Sequence, residues 1–163
     1  MIRSKENFTS ISQEAPVDIE MGTWRISVDG TPLFTSGAKT CIVFTAYNSE
    51  TGHALMGHFT DLMDQKSSGY DRDKFDEAVD ALETLGNPEK TEVWLGGGTP
   101  YIENGIDTMK PDREYAEQTL LGYQLDSAIN NDGLLSVEWS HPGQAVDVAF
   151  DPRLGILAVL QTD

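Results

Sequence analysis

Two apolar runs, CIVFTAY (41–47) and HALMGHF (53–59), stand five residues apart, joined by NSETG. Both are rich in β-branched and aromatic residues, so both read as strands. A connection this short makes them an antiparallel hairpin. Neither run alternates apolar with polar, so both faces of the hairpin must be covered, which predicts helices on either side. The chain is therefore expected to be layered, with this hairpin near its middle.

The remaining pattern fits that frame. TWRISVDGTPLF (23–34) is a first β region broken by the Asp29-Gly30 turn signal. Asp71 is an N-cap for a helix carrying Phe75, Ala78, Val79, Leu82 and Leu85, stopped by Gly86 and Pro88. TEVWL (91–95) is a short strand ending in Gly96, Gly97 and Gly98. Pro111 and Asp112 start a second helix with Tyr115, Ala116, Leu120, Tyr123 and Ser127 on one side. Strands follow at 134–139, 145–150 and 156–160. The expected fold class is α/β: a layered sandwich with a mostly antiparallel β-sheet core and two main helices. Residues 1–21 read as a polar, mobile leader, 61–70 as a polar loop, and 22–163 as one domain.

Charge narrows the partners. Eleven Lys and Arg against 27 Asp and Glu give a net charge of −16. Such a field repels phosphate backbones, so nucleic acid is excluded as an expected partner. No run approaches the roughly 18 to 20 apolar residues of a membrane span, and no membrane insertion is expected. The N-terminus lacks the apolar core of a secretory signal, which points to the cytoplasm, although signal-free export of an effector leaves no such mark. A single cysteine excludes an intramolecular disulfide.

That cysteine lies on the hairpin. With the turn centred near Ser49 and Glu50, opposed residues carry numbers summing to 99, so Tyr47 faces Gly52 and Cys41 faces His58. Directly opposed side chains share a face, with Cβ atoms about 4.5 to 5.5 Å apart. A thiol of ordinary pKa near 8.5 is seldom thiolate at neutral pH; a neighbouring histidine can hold it as an ion pair and later protonate a leaving group. The plainer alternative is a buried cysteine that happens to face a histidine. A metal site of Cys41, His53, His58 and His141 is disfavoured: His53 alternates to the other face, His141 lies in a distant turn, and no CxxC or HxxxH spacing exists. No cofactor is expected.

The run Thr35-Ser-Gly-Ala-Lys-Thr-Cys41, with His58 seventeen residues on and Met56 two before it, resembles the active-site pattern of the CheD family. That family deamidates glutamine side chains of bacterial chemoreceptors with a cysteine, a histidine and a threonine. VWLGGG (93–98), Arg113, Gly143, Phe150, Asp151 and Gly155 resemble further family features, so the likeness spans about residues 22–160. Lys39 stands where the family has glycine, and Pro111 and Asp112 replace the glycine expected before Arg113. The same superfamily includes toxins of the cytotoxic necrotizing factor type, which modify glutamines of host proteins.

The resemblance implies a protein-glutamine deamidase with Cys41 as nucleophile, His58 as acid and base, and Thr35 orienting the imidazole. The Cys41 N–H is the expected oxyanion donor, and Thr40, Gly96, Gly97 and Gly98 are expected at the substrate. The partner would be a glutamine-bearing protein, either chemoreceptor or host target. Rivals are an inactive binding module of the same fold, and a cysteine protease or transglutaminase using the same pair.

Overall fold

The computed structural model describes residues 1–63, 70–127 and 135–163. Leu134 and residues 64–69, expected as a strand start and as part of a loop, lie outside the described residues, as does the side chain of Ser127.

The hairpin strands are β5 (Ile42–Asn48) and β6 (Ala54–Phe59). They occupy the middle of a five-stranded sheet with β3 (Thr23–Ser27), β7 (Thr91–Gly97) and β10 (Leu135–Trp139), in the order β10-β7-β5-β6-β3. A second sheet has the order β1-β12-β11-β4-β2: β1 (Ile2–Arg3), β12 (Ile156–Thr162), β11 (Ala145–Asp151), β4 (Leu33–Ala38) and β2 (Val17–Asp18). Strands β8 (Ile102–Glu103) and β9 (Ile106–Asp107) form a small separate hairpin. Most pairings are antiparallel; β1 with β12, β2 with β4 and β10 with β7 are parallel.

The two large sheets pack face to face. Val43, Met56 and Trp94 of the first share one apolar cluster with Leu33, Val148, Phe150 and Leu157 of the second. The opposite face of the first sheet meets α2 (Arg72–Asp80), the 3-10 turn Ala81–Leu85 and α3 (Lys110–Ser127), through Phe44, Phe59, Phe75, Leu82, Ala116 and Leu120. A short α1 (Phe8–Gln13) covers the outer face of the second sheet with Ile11. The molecule is thus a mixed α/β layered sandwich with sheet dominant.

Two expectations are corrected. The hairpin is covered by helices on one face only; its other face is covered by a second sheet, which apolar runs alone do not distinguish from a helical layer. Residues 1–21 do not stand outside the domain. Strand β1 pairs with β12, β2 pairs with β4, and Ile11 and Ile19 are buried to 2% and 1% exposure.

Candidate active site

The hairpin register differs from the arithmetic. Tyr47 pairs with Ala54 and Val43 with His58, so the sum is 101. The cause is Asn48, whose side chain accepts from the Glu50 and Thr51 amides (3.0 Å each) while its backbone closes on Gly52 and His53. This widens the turn and moves the pairing by two residues. Because the side-chain period is two, the shift keeps Cys41 and His58 on the same face. Cys41 joins Val43 and Met56 in the cluster between the sheets. It is a diagonal neighbour of His58 rather than its direct partner, a relation that separates residues by about 7 to 8 Å.

The third residue comes from the opposite sheet. On β4, Thr35 is 1% exposed and its hydroxyl lies 2.8 Å from His58 Nδ1 and 2.8 Å from the Ile19 carbonyl. A hydroxyl has one proton, and a carbonyl can only accept. Thr35 therefore donates to Ile19, and the hydrogen shared with His58 comes from Nδ1. Neutral His58 is held as the Nδ1–H tautomer, with its lone pair on Nε2. That nitrogen is buried and has no hydrogen-bond partner among the described residues. Leaving a buried polar atom unpaired costs about 1 to 3 kcal/mol, a cost that burial for packing does not explain.

Cys41 is 8% exposed, and its Sγ lies 3.7 Å from Met21 Sδ. Burial pushes the thiol pKa up; Thr60 partly offsets this, and the nearby Asp61 and Asp71 carboxylates push it up further. Burial also pulls the His58 pKa down, against the opposing pull of Asp18 and the Ile19 backbone. Both directions disfavour the expected thiolate–imidazolium pair. A neutral thiol beside a neutral imidazole is the arrangement these directions favour, and it suits base-assisted attack.

The glycine triplet is buried and hydrogen-bonds to the cysteine loop. Gly98 N–H donates to the Cys41 carbonyl (2.7 Å), and Thr99 N–H to that of Lys39 (2.8 Å). At Gly97, with φ at +82°, a Cβ would lie 2.3 Å from the Cys41 carbonyl oxygen, so only glycine fits. Arg113 donates to the Gly98 carbonyl (2.8 Å) and pairs with Asp107, tying the triplet to the β8–β9 hairpin. Thr40 is half-buried on the loop before Cys41, and Lys39 is exposed. His141 is exposed and His53 stands ahead of β6. No group of three or more His, Cys, Asp or Glu placed to hold a metal occurs among the described residues.

Sequence reasoning missed residues 19–22. This segment supplies the Ile19 carbonyl to Thr35, Met21 to the thiol, and the Gly22 N–H to the His58 carbonyl (2.7 Å). Two of the three are backbone contacts, which leave no residue signature. Among the described residues no helix is long and apolar enough to cross a membrane.

No family model matches the chain, and no curated protein matches it. Among solved structures it is similar to the hypothetical protein YfiH of Bacillus licheniformis, at 12% identity and a TM-score of 0.45. The match covers 71% of this chain and 50% of that one, so the chain spans about half the length of that structure.

Proposed function

We propose that the protein is a cysteine-dependent protein-glutamine deamidase of the CheD type, acting on a chemoreceptor or a host protein. The observation that carries this reading is the Thr35–His58 hydrogen bond, which fixes an imidazole with a free, buried Nε2 on the face that holds the chain's one cysteine. The lack of a Cys41–His58 bond at rest is compatible with it, since catalytic hydrogen bonds commonly close only with substrate bound.

In this mechanism His58 Nε2 takes the Cys41 proton as Sγ attacks the carboxamide carbon of a glutamine side chain. The Cys41 N–H donates to the oxyanion. The proton on Nε2 passes to the departing nitrogen, the C–N bond breaks, and ammonia leaves a thioester. His58 then takes a proton from water as its oxygen attacks the thioester. The C–S bond breaks, Cys41 recovers its proton, and the product is glutamate. Thr35 accepts from Nδ1–H throughout. The Asp61 and Asp71 carboxylates that act on Cys41 favour a neutral carboxamide over its anionic product and so help release it.

The test is to incubate wild type and Cys41→Ala with bacterial and mammalian lysates in oxygen-labelled water, then map peptides by mass spectrometry. The expected result is glutamines converted to glutamate with one heavy oxygen, by wild type alone. Labelled fragments would instead indicate a protease, and amine adducts a transglutaminase. Identical maps for the two proteins would leave a binding module of this fold.

A further inference from the structure

One large apolar side chain in contact with the site is strongly exposed. Met21 is 59% exposed, yet its thioether touches the thiol of Cys41, which is itself 8% exposed. The backbone around it is fastened on both sides. Ile19 N–H donates to the Phe34 carbonyl (2.7 Å) and the Ile19 carbonyl accepts from Thr35. Gly22 N–H donates to the His58 carbonyl, and Thr23 N–H closes the turn onto Glu20 (3.1 Å). The segment is held by the strands of the histidine and the threonine, and it places the exposed Met21 side chain against the nucleophile. Core packing does not account for an apolar residue so exposed at such a place.

We infer that Met21 is the specificity-determining cover of Cys41, selecting a slender, unbranched side chain that ends in a neutral carboxamide. A methionine has three rotatable bonds and a polarizable thioether, so it can move aside and pack along a neighbouring chain. The two methylenes of glutamine offer such a chain; branched or aromatic groups collide with the thioether before their reactive atom reaches Sγ. The inference rests on Cys41 being the reactive group of the proposed enzyme, and its test reads Cys41 without turnover.

The experiment measures alkylation rates of Cys41 by intact mass with two probes: iodoacetamide, which is slender and carboxamide-ended, and N-phenylmaleimide, which is bulky. The proteins are wild type, Met21→Ala, Met21→Leu and, as a control for losing an exposed apolar side chain elsewhere, Leu154→Ala. With each rate divided by that of a small free thiol, wild type should favour the slender probe. Met21→Ala should lose that preference by about tenfold, the scale on which apolar pockets discriminate size. Met21→Leu should largely keep it, and Leu154→Ala should match wild type. An unchanged probe ratio in Met21→Ala would overturn the inference, as would an equal loss in Leu154→Ala. Absence of deamidation alongside a lost preference would count against the enzyme reading and leave the cover in place.

Discussion

The central sheet has two faces built from the same three strands, and they differ in kind. Facing the helices, Phe44 and Phe59 pack against Phe75 of α2 with ring centroids 5.3 to 5.9 Å apart, among largely aliphatic residues, and the Tyr115 hydroxyl at the margin donates to Asp76 (2.6 Å). Facing the second sheet, the same strands carry Cys41, Thr45, His58 and Trp94, and Thr45 Oγ1, His58 Nε2 and Trp94 Nε1 are buried without partners among the described residues. The sheet-facing side thus carries buried polar atoms without partners among the described residues, which a purely structural layer tends to avoid. The difference supports the proposed site without reference to any motif.

The comparison can be broken by substitution. The largest effect is expected at the sheet-facing nucleophile: Cys41→Ala should lower deamidation at least about a thousandfold with little change in melting temperature. His58→Ala should cost about a hundredfold to ten-thousandfold, the usual worth of a general acid–base. On the helix-facing side, Phe75→Ala should cost about 3 to 5 kcal/mol of stability by denaturant titration while leaving kcat per folded molecule nearly unchanged. If Phe75→Ala instead removed activity in the folded protein, the two faces would not be separable in this way.

Thr35→Val sharpens the same contrast. It keeps the shape but removes the acceptor of His58 Nδ1–H and the donor to the Ile19 carbonyl. Activity should fall about tenfold to a hundredfold, one to three kcal/mol of lost hydrogen bonding. Nitrogen NMR of His58 should show the Nδ1–H tautomer in wild type and a mixture in the variant.

Acidity gives a further handle. The folded state holds the His58 pKa below its ordinary value. Its contribution to stability is therefore present above the unfolded pKa, near 6.5, and is lost as pH falls through the lower folded value. The stability of wild type relative to His58→Ala should decline over that interval. Cys41 is shifted the opposite way, so its contribution is full below the free-thiol pKa and is lost as pH rises above it. The smallest effect is expected at Thr45→Val, which removes an unpartnered hydroxyl from the sheet-facing side. It should be neutral or stabilising by up to about 1 kcal/mol.

Much of this was legible in the sequence because periodicity is a direct consequence of burial. The strands around residues 41–47, 53–59 and 91–95, and the Phe75 and Ala116 helices, follow from apolar spacing. The face shared by Cys41 and His58 was also reachable, since a register error of two residues preserves it, whereas Thr35, on the opposite sheet, was reachable only through the resemblance to the CheD family. The register itself was not, because it depends on the Asn48 side chain closing a wider turn. Residues 1–21 were misread because two-residue strands have no period, and a helix burying only Ile11 looks polar. The burial that opposes the ion pair expected at Cys41 was hidden for a related reason: adjacency is written in the pattern, but desolvation is set by the second sheet packing over it.

The most direct test of the central claim uses a chloromethyl ketone analogue of glutamine, an electrophile that places its reactive carbon where the carboxamide would sit. Labelling of Cys41 should be at least about tenfold slower in His58→Ala than in wild type, as expected when a base assists attack by a neutral thiol. Equal labelling of the two proteins would contradict the account, because Cys41 and His58 would then share a face without sharing any chemistry.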